Sequence, residues 1–182
     1  MKSLITTILI FSSLLIFGQT PLTFEDVVSL EESIKKESLY NRGNHWVIEV
    51  FKNPQKVIQL TDKEGGQMIC KGNFGYKASN PLWMGAYNTE GVINFTIKLF
   101  FKEGRYKYVI TDFVHEPLRS GFQGFGLITT DDECPITEKL GTSKWRKKVW
   151  DDIKMKIDEE VPGIIDSLKD AMKEKTEQED DW

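Results

Sequence analysis

Two histidines, His45 and His115, and two cysteines, Cys70 and Cys134, are the whole stock of imidazole and thiol in this 182-residue chain. Catalysis of the common kinds needs a nucleophile, base or metal ion held by an orienting group. His115 stands next to Glu116, and a histidine–carboxylate pair could run acid–base chemistry. Adjacent residues of a strand point to opposite faces, however, so these two do not readily pair. His45 sits beside Trp46, off the apolar stripe of its helix. Both imidazoles read as structural or solvent-facing, and a hydrolase using His115 with distant carboxylates is a minor alternative. The cysteines are too far apart for a Cys-x-x-Cys pair, and with no histidine near either, zinc-ligand spacing is missing.

Three further clusters invite chemistry and give little. Asp131, Asp132 and Glu133 are consecutive, whereas calcium loops alternate oxygen ligands around a tight turn. The glycine-rich stretch 121–126 lacks the Lys–Ser/Thr ending and the following helix of a phosphate loop. Lys144, Arg146, Lys147 and Lys148 form the one dense basic cluster, which reads as a solvated helix face. No metal or other cofactor is expected. Aromatics are the remaining feature. Trp83, Tyr87, Tyr106, Tyr108, Phe122 and Phe125 lie in or beside strands and loops, with Arg105 interleaved. On a concave sheet such a set suits a glycan, peptide or lipid-like ligand; ordinary core and cross-strand pairing is the plainer reading.

The elements that must position these residues follow from periodicity. Residues 21–30 read as a strand. From Leu39 the residues Tyr40, Gly43, Trp46, Val47, Val50 and Phe51 recur at helical spacing. Ser38 is the expected N-cap, and Asn53 before Pro54 the stop. Gly43 within that stripe signals close packing. Residues 56–61 and 67–76 read as strands, with Gly72 and Gly75 suggesting a bulge or bend. Ile93, Phe95, Ile97, Leu99 and Phe101 then alternate with polar residues. After the turn at 102–105, Tyr106, Tyr108, Ile110, Asp112 and Val114 are expected on one face of a second hairpin strand. Residues 127–130 read as a short edge strand. Trp145, Val149, Ile153, Ile157, Val161, Leu168 and Met172 trace a long helix that Pro162 should kink or divide. The expected fold class is α+β: a two-layer domain in which an antiparallel meander sheet is covered on one face by two helices, in the order strand, helix, four or more strands, helix. The other sheet face meets solvent or a partner.

The first residues carry an address. Lys2 precedes an interrupted apolar run of about 14–16 residues, short of the ~20 that cross a bilayer, and Gly18 offers a small residue at its exit. Residues 1–18 are therefore expected to be a cleaved secretory signal peptide, followed by a single domain over 19–172 and a frayed acidic tail over 173–182. The product is expected to be exported, periplasmic or extracellular, with no stable membrane insertion after cleavage. Removing residues 1–18 takes away Lys2 and leaves 23 basic against 28 acidic residues. That balance argues against nucleic acid as a partner. An oxidising compartment permits a disulfide between Cys70 and Cys134; two buried small hydrophobes are the alternative.

Three segments carry a resemblance. The run 36–42 with Trp46 pairs a lysine, an acidic residue, an aliphatic and a tyrosine with a later tryptophan. Gly91, Val92 and Ile93 open the hairpin. The run 102–108, followed by Thr111, Asp112 and Phe113, holds a Gly-Arg-Tyr-x-Tyr core. Together they resemble a family of secreted Bacteroidota proteins classed as a domain of unknown function with a TATA-binding-protein-like (TBP-like) fold. The likeness covers about residues 22–115. Lys107 stands where the family more commonly has Arg, and Gly43 where a small Ala is usual. The resemblance implies a TBP-like shape and export, and it supplies no site. The sequence thus leads to an exported, non-enzymatic domain that binds a partner protein, peptide or small molecule through the open sheet face or through loops 77–90 and 115–135. A helix-grip carrier, with the long helix closing a curved sheet over an apolar cavity, is the structural variant.

Overall fold

A computed structural model describes residues 20–51, 53–80, 86–122, 124–135 and 142–174, the side chains at 54, 86 and 87 excepted. The expected signal segment 1–18 and most of the acidic tail lie outside these residues. In chain order the elements are β1 (Phe24–Ser29), α1 (Lys36–Val50), the single turn α2 (Pro54–Val57), β2 (Ile58–Asp62), β3 (Gln67–Tyr76), a 3-10 turn (Ala86–Thr89), β4 (Gly91–Lys102), β5 (Arg105–Pro117), the two-residue β6 (Gly126–Leu127) and α3 (Ser143–Lys173). The sheet runs β1-β5-β4-β3-β2, with antiparallel neighbours throughout, and β6 shares the edge of β5 with β1. Among the described residues no helix is long and apolar enough to cross a membrane.

Alternation along β4 builds the sheet's inner face. Ile93, Phe95, Ile97, Leu99 and Phe101 are buried, and register places Cys70 opposite Ile97 and Met68 opposite Leu99. On β5 the alternation changes phase. Tyr106, Tyr108 and Ile110 are buried, and then so are Thr111, Phe113 and His115. Between the pairs Asn94–Val114 and Thr96–Thr111, β5 holds one extra residue, and Asp112 takes a φ of 57°. This bulge corrects the expected faces of Asp112 and Val114: both turn outward, because an inserted residue reverses every side chain beyond it. The bulge expected at Gly72 and Gly75 is not there. Register with β4 is continuous from Gln67 to Tyr76. Gly72 instead makes room for aromatic rings, since a Cβ there would lie 2.5 Å from Phe95 Cζ.

α1 begins three residues before Leu39, and Ser38 is not its cap. The carboxylate of Glu103, in the β4–β5 turn, accepts the Lys36 N–H at 2.9 Å, so a distant side chain satisfies a donor that the helix leaves open. Leu39, Tyr40, Gly43, Trp46 and Val47 are buried as the stripe requires, whereas Val50 is exposed. α3 is a single helix of 31 residues, about 46 Å long. Pro162 does not divide it; the ring lies on the exposed side, where water can satisfy the carbonyl left without an N–H. The helices pack on each other as well as on the sheet. Buried Arg42 donates from Nη1 to the Met172 carbonyl at 2.7 Å, placing a cation at the C-terminal end of α3. Trp46 Nε1 donates to Ser167 Oγ at 3.1 Å.

Among the described residues, the opposite sheet face carries no helix. Across five strands, Leu60, Ile69, Lys98, Val109 and Glu25 form one outward row, and Asp62, Gln67, Phe100, Lys107 and Val27 form the next. Lys107 pairs with Glu25 at 2.8 Å. The sheet stays open, and the space beneath the helices is filled by Trp46, Trp150, Tyr76, Tyr106, Phe101 and Phe113, all fully buried. That filling corrects the helix-grip variant, which needed an enclosed apolar cavity.

Candidate binding cleft

Where β3 ends and β4 begins, Tyr76 pairs with Gly91 and Gly75 with Val92. α3 crosses this corner and presents Asp152, Met155, Lys156 and Glu159 along one face, the spacing that aligns side chains on a helix. With Lys77, Ser79, Glu90 and Leu118 these residues line a cleft of about 600 Å³, within the ordinary range for ligand sites.

Asp152 is the unusual member, at 5 % exposure. Its Oδ2 accepts the Tyr76 hydroxyl at 2.7 Å and the Ser79 N–H at 3.1 Å. Its Oδ1 is buried without a hydrogen-bond partner among the described residues. A buried carboxylate oxygen without a donor is costly, so this atom marks a place where the fold is not optimised for itself. Burial, and the neighbouring Asp152, raise the pKa of the Tyr76 phenol well above its usual value, keeping it a donor.

His115 braces the same corner from behind, its ring edge-on to Tyr76 with centroids 5.2 Å apart. Nδ1 accepts the Phe125 N–H at 3.1 Å, which leaves Nε2 to donate to the Thr89 carbonyl at 3.0 Å. Burial lowers the imidazole from its ordinary 6.5 to about 4, so it is neutral near pH 7. Both ring nitrogens are taken by main-chain groups that tie the 3-10 turn and the segment after β5 to the sheet, and the hydrolase reading of His115 loses its base. His45 pairs with Glu49 on the solvent side of α1 at 3.4 Å.

The expected ligand-binding aromatics are scattered. Tyr106, Tyr108 and Phe125 are buried core residues: the two tyrosines lie on the inner face of β5, the one the helices cover, and Phe125 packs against His115 and Trp145. Arg105 is exposed at the hairpin turn, and Phe122 is half-buried with the Arg119 guanidinium 5.8 Å from its ring centre. Trp83 and the side chain of Tyr87 lie outside the described residues. Cys70 and Cys134 are buried thiols, not a disulfide: Cys70 sits in the middle of β3, while Cys134 packs near Ser143 and Lys147 at the start of α3. The acidic run 131–133 serves as a docking loop. The Asp131 carbonyl accepts Trp150 Nε1 at 2.9 Å and Lys154 Nζ at 2.6 Å. Among the described residues no group of three or more His, Cys, Asp or Glu could hold a metal ion. Sequence reasoning missed Asp152, although a signal existed: it lies three residues after Val149 and just before Ile153, so it falls on the apolar stripe.

An antiparallel sheet with helices on one face and the other face open is a TBP-like α+β architecture. The chain belongs to the family described as a domain of unknown function (DUF4468) with TBP-like fold, which residues 24–116, just over half of the sequence, match. A TBP-like protein from Parabacteroides distasonis is similar in structure with a TM-score of 0.60 at 13 % identity, over 86 % of this chain and 95 % of that one. A DUF4468 family protein from Bacteroides ovatus is similar with a TM-score of 0.53 at 12 % identity, over 85 % of this chain and 87 % of that one. At such identities the likeness is one of fold. A comparison with curated proteins finds no match.

Proposed function

We propose that this chain is an exported, non-enzymatic binding domain whose ligand, a small molecule or a segment of a partner protein, seats in the cleft between α3 and the β3–β4 corner. The observation that carries this reading is the cleft of about 600 Å³ itself, with the buried Asp152 carboxylate in its wall, one oxygen satisfied twice and the other covered and without a donor. Leu118 and Met155 support it, since both are large apolar side chains left substantially exposed at the cleft, at 62 % and 46 %. The engagement of both His115 nitrogens supports a non-enzymatic role, and the apolar run before Gly18 supports export.

A second reading places the partner on the open sheet face, where Leu60, Ile69, Phe100, Val109 and Val27 run diagonally as an apolar zigzag between charged neighbours. Amide-resolved NMR screening of the mature chain against a fragment library separates the two. Shifts clustered at Gly75, Ser79, Val92 and Met155 are expected. Clustering on β2, Ile69 and Phe100 would transfer the function to the sheet face. Intact-mass measurement of the exported protein is expected to show a chain beginning at Gln19, and a retained Met1 on a cell-associated product would remove the export reading.

A further inference from the structure

We propose that His115 is an acid-sensitive latch: a proton on Nδ1 frees the strap Gly124–Leu127 from the end of β5, while the bond from Nε2 to the 3-10 turn stays made. The latch is independent of what the cleft binds. Neutral His115 fits its surroundings in one way. The Phe125 N–H can only donate, so the ring nitrogen 3.1 Å from it is bare, and the hydrogen sits on Nε2, 3.0 Å from the Thr89 carbonyl. A second proton has no place but Nδ1, where it meets the Phe125 N–H donor against donor. The bond to Thr89 gains strength from the added charge, so acid acts on one side of the ring.

The strap is short and leans on this one side chain. β6 is two residues long, and it pairs Leu127 with Val114 and Gly126 with His115 itself. The buried Phe125 ring packs on the same imidazole with centroids 5.7 Å apart, and on Trp145 at 6.2 Å. Beyond the strap the Ile128 N–H donates to the Phe113 carbonyl at 2.7 Å, which sets where the release ends. Around the imidazole stand Tyr76 of β3, with Asp152 of α3 on its hydroxyl, Gly91 of β4, Thr89 with Glu90 beside it, and Glu116 next along β5. The Thr89 carbonyl and the Glu116 charge both favour the proton, and burial outweighs them, taking the ring from 6.5 to about 4. The latch is therefore shut above about pH 6.5 and opens as the pH falls toward 4. Its release reaches the cleft. Gly124 packs on Pro117, where an added Cβ would lie 3.0 Å from the proline Cδ. The next residue, Leu118, forms one cleft wall and donates to the Glu90 carbonyl at 2.8 Å.

The test is native-state hydrogen exchange of the mature chain, read by amide NMR at pH 7 and pH 5, corrected for intrinsic exchange rates and repeated in low urea. The opening equilibrium at Phe125 is expected to rise about twentyfold between the two pH values, the factor that follows from 6.5 in the open state and about 4 in the closed one. It should not respond to low urea, the mark of a local opening, whereas Ile97 in the middle of β4 should. Nitrogen NMR shifts of the imidazole at pH 7 are expected to place the hydrogen on Nε2. His115→Gln offers Phe125 a carbonyl oxygen that does not titrate, and should abolish the rise; if that variant fails to fold, the measurements on the native chain decide. Hydrogen on Nδ1, a urea dependence at Phe125 equal to that of Ile97, no rise at Phe125, or a rise that persists in His115→Gln each overturns the latch.

Discussion

Gly43 on α1 lies against the ring of Phe101 on β4: a Cβ at Gly43 would sit 2.5 Å from Phe101 Cζ and 3.3 Å from Met172 Cε. Helix, sheet and α3 therefore meet at a point where no side chain fits. Replacing glycine by alanine inside a helix is ordinarily favourable by about 1 kcal/mol, whereas overpacking a core costs about 1–3 kcal/mol. The second effect governs here, because Phe101 is fully buried among neighbours that hold its ring. Gly43→Ala is expected to lower stability by about 1 kcal/mol in urea denaturation, and Gly43→Ala with Phe101→Leu to recover part of that loss. A stabilised single variant would show that the ring moves aside freely.

His115 makes stability depend on pH. Its pKa falls from 6.5 in the ordinary state to about 4 in the folded chain, so between those values the unfolded chain binds a proton that the native one refuses. Stability attributable to the ring is complete above about pH 6.5 and is lost as the pH falls toward 4. At pH 5 the loss should approach about 2 kcal/mol. His115→Gln should flatten the difference between urea midpoints at pH 7 and pH 5, even if it lowers both. An unchanged slope would mean that the proton is taken up elsewhere.

The hairpin and both helices were legible because their patterns run long: five inward apolar residues on β4 and a stripe over 31 residues of α3 leave little freedom. Reading failed where a single local event or a distant partner decides the outcome. The Asp112 bulge reverses the faces of β5 without any glycine to announce it. The cap of α1 comes from Glu103, 67 residues from Lys36, and no local pattern contains it. Tyr106, Tyr108 and Phe125 lie in the core for a related reason. Tyrosines on alternate positions mark a face, and burial of that face depends on which side the helices cover. Asp152 was hidden by its own chemistry, since a carboxylate on an apolar stripe reads as a solvated flank until Tyr76 is brought to it.

The cysteines give a direct measurement. Burial pushes the Cys70 thiol up to about 12, and thiolate is the reactive form. The native chain is expected to resist iodoacetamide at pH 8, and the chain unfolded in urea without reductant to take up two alkyl groups, one on each of Cys70 and Cys134. An unfolded chain that takes up none would indicate that the exported protein bonds the two after all, with the fold distorted between β3 and the start of α3.

Tyr76 and Asp152 allow the cost of the cleft to be separated from its use. Tyr76→Phe removes the hydroxyl that meets Asp152 Oδ2 at 2.7 Å and leaves that oxygen only the Ser79 N–H, a change worth about 1–3 kcal/mol of lost stability. Replacing both partners by apolar groups of similar shape behaves differently, because no Asp152 oxygen is then left buried without a donor. Since Oδ1 is already without a donor, the pair Tyr76→Phe with Asp152→Leu should be more stable than Tyr76→Phe alone, by urea denaturation. The same pair should lose the fragment-induced shifts at Gly75, Ser79 and Val92. Stability regained while binding disappears is the pattern of a residue retained for function at the expense of the fold. If the pair were less stable than either single variant, Asp152 would instead be a structural anchor for the 77–80 segment and α3.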